Sequence, residues 1–507
     1  MNTPGAEPRT VLALIEQQAR ERPDAIYALA ADSEAVLRYG QLERDCRAVG
    51  ELLSRHGVRR GDTVSIVMPN GLQTVRLLLG AMRAGCIVNP VNLLSHGDAM
   101  RHVLAHSDCR IVFVAPEWEE RVRALLAGIE RTTAVVVAGP DGDGFGVAVP
   151  DNADPSAPEP DDVALLMYTS GTTGLPKGVM LTQANLVANA HSISREHALG
   201  PADRVLAVLP LYHINAFAVT MLAPLAHGGS LVMPPRFSAA RFWSQAERGG
   251  CTWINVVPTM ISYLLEGETP PRASTTRIRF CRSASAALPP EHHREFERKF
   301  GIGIIETMGL TETVAPSFSN PLEPGRRKIG SVGRASGCEA RVVDAALQPV
   351  SDGETGELVI RGPNVMRGYY KNDDATRASF TPDGWLRTGD LGHRDADGFY
   401  FVTGRIKELI IKGGENIAPR EIDEALLAHP AVLDAAAVGI ADRHYGQEIL
   451  ACVVLRDGIA CDEATLREHC IATLGRFKTP KTIRFVESLP RGPSGKVQRL
   501  KLLELPG

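Results

Sequence analysis

Residues 168–178, with the sequence YTSGTTGLPKG, combine hydroxyl groups, glycines and a lysine in a pattern that suits phosphate binding. Glycines let a backbone bend closely around an anion, and hydroxyl and ammonium groups supply hydrogen-bond donors. Because the segment lies between the apolar runs VALLM and VMLTQANLV, we expect a loop after a buried strand. The residues predicted to contact phosphate are Thr169, Ser170, Gly171, Thr172, Thr173, Gly174 and Lys177.

This segment differs from the P-loop of kinases. A Walker A loop requires G-x-x-x-x-G-K-[ST], whereas Lys177 follows Pro176 and precedes Gly178. A surface turn rich in Ser, Thr and Gly is the alternative interpretation. The number of donors between glycines, directly after a strand, favours the phosphate site.

Six further segments with polar or charged residues follow along the chain. They are PLYH (210–213), ETMGLTE (306–312), GWLRTGD (384–390), GRIK (404–407), KGGENI (412–417) and PRGPSGK (490–496). In order and spacing, the set resembles the signatures of the adenylate-forming superfamily of acyl-CoA synthetases, luciferases and peptide-synthetase adenylation domains, and free-standing acyl-CoA synthetases most closely. The resemblance covers almost the whole chain. It implies that the protein activates a carboxylic acid with ATP and Mg²⁺ as acyl-AMP, and then transfers the acyl group to coenzyme A.

The resemblance also implies which residues bind the nucleotide. Thr311 would face the α-phosphate, and Glu312 would help to hold Mg²⁺, because a metal bound mainly by phosphate oxygens needs only one or two carboxylates. Asp390 would accept hydrogen bonds from the ribose hydroxyls, since an ionised carboxylate offers only acceptors. Further nucleotide contacts are expected at Ser285, Ala286, Thr307, Met308 and Arg405.

Lys496 is the leading catalytic residue that the resemblance implies. Negative charge builds on the phosphate oxygens as the acid attacks, and a positioned ammonium stabilises that charge more than the ground state. His213 is expected beside the reacting acid. The acyl pocket is expected to contain Tyr212, Ile214, Phe217 and Gly309. Because Gly309 adds no side chain, we expect a bulky aliphatic, polycyclic or aromatic acid.

A mobile C-terminal domain would serve the second half of the reaction. The resemblance implies a hinge at Lys407, around which this domain rotates. Gly413 and Gly414 would then let the pantetheine arm of coenzyme A pass. We expect the CoA nucleotide to be held by phosphate contacts and stacking from Arg476, Phe477 and Lys478.

Two positions depart from the pattern of the superfamily, and both lie on the adenine side. Met308 stands where a tyrosine usually stacks on adenine, and residues 283–288 (SASAAL) replace a Gly-rich, Pro-containing stretch. An aromatic partner contributes about 0.5–1.5 kcal/mol beyond its buried area, so its loss alone should weaken ATP binding without abolishing catalysis. An enzyme that only thioesterifies preformed acyl-AMP therefore remains an alternative, as does a non-enzymatic acyl-nucleotide binding protein.

Other classes of enzyme fit less well. An amino-acid adenylation domain should place an acidic residue near the pocket, and residues 210–217 (PLYHINAF) contain none. Luciferase-like oxidation shares the adenylation step, and the motifs leave it open. His102 and His106 are one helical turn apart, but no Glu follows the first histidine as H-E-x-x-H requires, so we expect a solvated helix face rather than a zinc site.

The elements that position these residues follow from the alternation of helical patterns with short apolar runs. Helical patterns such as LERDCRAVGELL alternate with strands such as TVSIVM, CRIVFVA and WINVVP, which predicts βαβ units. We expect an α/β fold with a large N-terminal domain (1–405) of doubly wound α/β sheets and a β-rich part from about residue 325. A small, mobile α+β C-terminal domain (406–507) would carry the lysine loop. Residues 139–162, rich in Pro, Gly and Asp, should form an exposed connector.

The composition is that of a water-soluble protein of several domains. The 507 residues are 44% hydrophobic and 22% charged, and the formal charge of −4 gives no reason to expect nucleic acid as a partner. No apolar run reaches the ~20 residues of a membrane span. We expect a cytoplasmic location, because no export signal is visible, and nine reduced cysteines. An oligomer is possible.

Overall fold

The computed structural model describes residues 7–142, 157–169, 175–492 and 496–505. Up to Arg405 the strands are β1 Ile26–Ala30, β2 Val36–Arg38, β3 Thr63–Val67, β4 Ile87–Pro90, β5 Ile111–Val114, β6 Ala134–Val137, β7 Val163–Thr169, β8 Lys177–Thr182, β9 Arg204–Leu206, β10 Ser230–Met233, β11 Trp253–Val256, β12 Phe280–Ser283, β13 Ile304–Leu310, β14 Ala315–Ser319, β15 Arg334–Ala335, β16 Glu339–Val343, β17 Gly356–Arg361, β18 Gly368–Tyr369, β19 Leu386–Arg394 and β20 Tyr400–Arg405. They are followed by β21 Ile410–Lys412, β22 Glu415–Ile417, β23 Val432–Asp442, β24 Gly446–Leu455 and β25 Thr482–Phe485.

The helices are α1 Val11–Glu21, α2 Tyr39–Arg55, α3 Leu72–Arg83, α4 Gly97–His106, α5 Glu119–Leu126, α6 Gln183–Glu196, α7 Ala223–His227, α8 Ala239–Arg248, α9 Pro258–Glu266, α10 Arg272–Thr275, α11 Pro290–Phe300, α12 Asp373–Ala378, α13 Pro419–Leu427 and α14 Glu463–Lys478. A π-helix, Ala216–Leu222, runs directly into α7. Short 3₁₀ turns cover Pro116–Trp118, Thr311–Thr313, Pro324–Arg326, Ile406–Glu408 and Arg499–Glu504.

Two large sheets form the α/β part of the protein, as the sequence predicts. One has the strand order β15-β14-β13-β12-β11-β9-β10-β1-β2, and the other β18-β8-β7-β4-β3-β5-β6. Pairing is parallel from β1 through β13 in the first sheet and from β7 through β6 in the second. Apolar runs such as WINV are buried throughout because helices cover both faces of a parallel sheet.

A third sheet lies in the part of the chain where the sequence analysis expects many short strands. Its antiparallel strands have the order β16-β17-β19-β20, and the chain between β17 and β19 contains β18 and α12. Phe318, Val342, Leu358, Ile360 and Tyr400 form its buried core. This sheet places Asp390 directly opposite Arg405, because the two are register partners on β19 and β20.

A fourth sheet contains only strands that follow Arg405. Its order is β22-β21-β24-β23, and β25 pairs with β24 in parallel. The sheet and its helices α13 and α14 bury their own apolar cluster, which includes Ile410, Ile422, Leu426, Ile449 and Leu466. This part of the chain ends in the segment that carries Lys496.

The connector predicted at residues 139–162 lies mostly outside the described residues. Within the described ranges, no helix combines the length and the apolar character needed to cross a membrane. All nine cysteines are free thiols, and seven of them are buried.

Candidate active site

The predicted site residues meet where strands of the two large sheets end. β7 ends at Thr169, β12 at Ser283 and β13 at Leu310, so the segments after these strands lie at carboxyl ends of parallel strands. Open α/β sheets bind their ligands at such edges. The cleft is completed by β19 and β20 and by Lys496.

The predicted phosphate loop is framed by two described residues. Thr169 and Lys177 are register partners on β7 and β8, and residues 170–174 between them lie outside the described part of the chain. The Lys177 ammonium lies 4.8 Å from the ring centroid of Tyr369. The Tyr369 hydroxyl in turn donates a hydrogen bond of 2.8 Å to Glu312 Oε1. Burial and the Glu312 carboxylate raise the pKa of Tyr369, so it stays a neutral donor.

His102 and His106 contact both ends of this loop, so the prediction of a solvated helix face was wrong. His102 Nε2 lies 3.2 Å from the Pro176 carbonyl oxygen, and His106 Nδ1 lies 2.8 Å from the Tyr168 hydroxyl. The rings stack on each other at 5.1 Å. Burial, His102 and Lys371 lower the pKa of His106, which favours the neutral ring. No group of metal ligands occurs here or elsewhere in the described ranges.

Asp390, which is buried, forms an ion pair with the half-buried Arg405. Arg405 Nε lies 2.6 Å from Asp390 Oδ1, and the Asp390 residue is only 4% exposed. Burial opposes the charge of Arg405, but Asp390, Glu408 and Glu312 together outweigh this effect and raise the pKa of the guanidinium. The pair therefore presents fixed charges of both signs to the cleft.

Lys496 lies within electrostatic range of this pair. Its ammonium interacts with Arg405, Asp390, Glu408 and Glu312. Lys496 keeps contact with solvent, although the protein around it displaces part of its hydration. The loss of water around it, and then Arg405, lower the pKa of Lys496, while the carboxylates oppose the shift. The fold thus brings residues far apart in sequence to one place.

The residues predicted to contact adenine lie after β12 and along β13. Ser285 has a φ of 74°, a left-handed conformation that is uncommon for residues with a side chain and often marks functional sites. Ala286 is half-buried, and Thr307 donates from its hydroxyl to the Ser283 carbonyl at 3.3 Å. Met308 packs against the core of the third sheet. Thr311 starts a 3₁₀ turn and is half-buried.

All predicted acyl-pocket residues except Gly309 lie before or within the π-helix, as does His213. Tyr212 and His213 pack edge to face with ring centroids 4.8 Å apart, and both are half-buried. Burial raises the pKa of Tyr212 to about 12. Ile214 and Phe217 are buried in the main core. A π-helical turn is rare and occurs often at functional sites.

Gly309 lacks a side chain for a reason other than a large acyl pocket. A Cβ on Gly309 would lie 1.4 Å from the carbonyl oxygen of Ala315, at a register shift between β13 and β14. The space beside Gly309 is therefore filled by backbone. The argument from Gly309 to a bulky acid does not hold.

The residues predicted to contact coenzyme A lie at the turn between β21 and β22 and at the end of α14. Gly413 and Gly414 form the turn between β21 and β22 with φ values of 58° and 88°, which glycine adopts readily. A Cβ on Gly413 would lie 3.7 Å from Phe477. Arg476 is exposed, but both carboxylate oxygens of Glu421 accept hydrogen bonds from Lys478, at 2.7 and 2.8 Å. Lys478 would have to leave this ion pair to bind a phosphate.

The predicted hinge residue, Lys407, lies in the 3₁₀ turn between the third and fourth sheets. Its side chain is exposed, whereas the next residue, Glu408, pairs with Arg499 at 3.2 Å. The site also includes Tyr369, which the sequence analysis did not single out, and His102 and His106, to which it assigned no contact with the loop. In the sequence, its aromatic character within the run MRGYY (366–370) was the only indication that Tyr369 contacts a ligand site.

Comparison with known proteins identifies the family. Residues 15–370 match the model of the AMP-binding enzymes, and residues 421–496 match that of the AMP-binding enzyme C-terminal domain. The chain is 59% identical over 497 residues to sulfoacetate–CoA ligase of Cupriavidus necator, with 97% of both chains covered. It is 35% identical to oxalate–CoA ligase of Arabidopsis thaliana, again with 97% of both chains covered.

Solved structures agree with this assignment. ATP-bound MatB from Rhodopseudomonas palustris superimposes with a TM-score of 0.91 at 30% identity, over 97% of this chain and 98% of MatB. Apo MatB gives a lower TM-score of 0.82 at the same identity, over 98% of each chain. The fold, the ordered motifs and the full-length similarity agree: the chain belongs to the AMP-binding enzymes, the adenylate-forming superfamily, and is an ATP-dependent acid–CoA ligase of the acyl-CoA synthetase type.

Proposed function

We propose that this ligase activates sulfoacetate, or another short acid of similar charge, as acyl-AMP and then converts it to the CoA thioester. The 59% identity to sulfoacetate–CoA ligase, over nearly the full length of both chains, supports this substrate. The oxalate–CoA ligase, at 35% identity, also takes a short acid. We place the reaction in the cytoplasm, where ATP and coenzyme A are supplied.

The position of Lys496 is the observation that carries the proposed adenylation step. The acid's carboxylate oxygen attacks the α-phosphorus of ATP, a new P–O bond forms, and the bond to pyrophosphate breaks. The Lys496 ammonium, beside Arg405 and Asp390, stabilises the charge that builds on the phosphate oxygens. Lys177 and the loop that it closes hold the outgoing phosphates, and Asp390 orients the ribose.

Glu312 fits a role in holding Mg²⁺. Glu312 is half-buried, and its carboxylate accepts a hydrogen bond from the Tyr369 hydroxyl. The ring of the same tyrosine contacts the Lys177 ammonium. One carboxylate suffices for a metal held mainly by phosphates. Bound there with ATP, Mg²⁺ would neutralise phosphate charge.

The second step joins coenzyme A to the acyl group. The thiol of CoA loses its proton to solvent, and its sulfur attacks the acyl carbon of acyl-AMP. The C–O bond to AMP breaks, and AMP leaves with both electrons of that bond. We propose that the part of the chain after Lys407 rotates between the steps, bringing the Gly413–Gly414 turn to the site. The higher TM-score to ATP-bound than to apo MatB supports an arrangement suited to the first step.

A thioesterification-only enzyme is the second candidate, and Met308 favours it. The methionine packs against the core of the third sheet and offers no aromatic face for adenine. Pyrophosphate release from ATP, measured across a panel of acids with and without CoA, separates the two. Release that depends on sulfoacetate supports the complete ligase. Acyl-CoA formed only from supplied acyl-AMP would establish the second candidate, and nucleotide binding without any turnover would indicate a binding protein.

A further inference from the structure

Arg282 is a fully buried cation with only neutral partners. It lies on β12 and is 0% exposed. Its Nη1 donates to the side-chain oxygens of Asn215 at 2.8 Å and Asn255 at 2.9 Å. Its Nε and Nη2 have no hydrogen-bond partner, and no carboxylate pairs with it among the residues that the structure describes.

Such a group is costly unless something binds it. Charged side chains are almost never fully buried without a partner, because an uncompensated charge loses its hydration. Burial lowers the pKa of Arg282 to about 9, so the guanidinium is still charged at neutral pH. A water molecule could satisfy the free N–H groups, but it would not supply the missing negative charge. The free edge, Nε with Nη2, is the one that binds two oxygens of an anion side by side.

Asn215 connects this cation to the predicted acyl pocket. It lies two residues after His213 and donates from Nδ2 to Ser285 Oγ at 3.3 Å. Asn255 in turn donates to Asn215 Oδ1 at 3.4 Å. Ser285 is the residue with the left-handed backbone after β12. Asn215 therefore links the buried cation to the segments that carry His213 and Ser285.

We infer that Arg282, held by Asn215 and Asn255, binds a second anionic group of the acid, a sulfonate or carboxylate, so that the preferred substrates are short acids with two negative charges. This inference rests on the proposed function for its substrate. The inference adds that Arg282 is the residue that selects acids by the charge of their second group. His213 and Lys496 would act at the reacting carboxylate, and Arg282 at the other end of the molecule.

The test compares two acids of nearly equal shape. Sulfoacetate carries the second charge, whereas methylsulfonylacetate replaces one sulfonate oxygen by a methyl group and is neutral at that end. For Arg282→Gln we expect kcat/KM with sulfoacetate to fall at least about 50-fold, within the range for breaking a buried charge pair. The kcat/KM with methylsulfonylacetate should change less than about threefold. Arg279→Gln, which removes a partly exposed arginine paired with Asp203, is the control and should keep the preference.

A second variant distinguishes loss of the anion contact from misfolding. Asn255→Asp places a carboxylate beside Arg282, so we expect a higher Tm together with an at least about tenfold loss of kcat/KM for sulfoacetate alone. Equal losses on both acids in folded, AMP-binding Arg282→Gln would overturn the inference, as would a lower Tm of Asn255→Asp with the sulfoacetate preference kept.

If no acid is turned over, the proposed function fails, and calorimetry of sulfoacetate binding with a non-hydrolysable ATP analogue still decides the role of Arg282. Unchanged binding in Arg282→Gln would contradict it.

Discussion

At the scale of single residues, Lys496 carries the largest share of the proposed chemistry. We expect Lys496→Ala to lower adenylation at least about 10²-fold, because a strong transition-state donor is lost. Thioester formation from synthetic acyl-AMP should be spared, since Lys496 is assigned to the first step. Pyrophosphate release and acyl-CoA formation measure the two steps separately. Lys501→Ala, which removes an exposed lysine nearby in sequence, is the control. Equal losses in both steps would contradict the division of labour.

The lowered pKa of Lys496 also predicts a pH dependence. The charged form, needed for catalysis, is present below the pKa and is lost as pH rises through it. Because the pKa lies below that of an ordinary lysine, adenylation should decline at a correspondingly lower alkaline pH. Arginine stays charged in this range, so Lys496→Arg should move the alkaline decline upward even if the rate is lower. An identical decline in both proteins would assign it to another group.

Several residue roles could not be predicted from the sequence. His102 and His106 looked like one face of a helix, and their contacts with Tyr168 and Pro176 arise only when α4 packs beside β7 and β8. Arg282 lies in the run RFCRS, where a charged residue near the end of a strand suggests solvent. Its burial depends on Asn215 and Asn255 from other elements.

At the scale of elements, the close approach of β13 and β14 fixes Gly309. Gly309→Ala would press a methyl group into the Ala315 carbonyl, so we expect a loss of roughly 1–3 kcal/mol or more in the free energy of unfolding. Denaturant unfolding measures this loss. Gly325→Ala, at a glycine with open space around it, is the matched control. Unchanged stability together with a narrower range of acids would instead restore a pocket role for Gly309.

The strands themselves were predictable. The runs TVSIVM, CRIVFVA and WINVVP became β3, β5 and β11, because short apolar runs between helical patterns suit a sheet that is covered on both faces. The order of the strands was not predictable. The position of β12 between β11 and β13, which aligns Arg282 with Asn255, follows from helix packing that no local pattern encodes.

At the scale of the whole molecule, we propose that rotation after Lys407 links the two steps. Proline restricts φ to about −65° and removes a backbone donor, so Lys407→Pro should restrict the turn Ile406–Glu408. We expect the thioester step to slow more than adenylation, because the present arrangement already places Lys496 at the site. Single-turnover rates of both steps measure this, with Lys407→Ala as the control. Equal slowing in the proline variant would argue against rotation.

The central claim is that this protein is a complete ligase for a short, doubly charged acid. The most direct test incubates the purified protein with ATP, Mg²⁺ and sulfoacetate, with and without coenzyme A, and measures pyrophosphate and the acyl products by mass. We predict pyrophosphate release that requires the acid, with sulfoacetyl-AMP formed without CoA and sulfoacetyl-CoA formed with it. Release with a bulky aromatic or aliphatic acid, and none with sulfoacetate, would contradict this account.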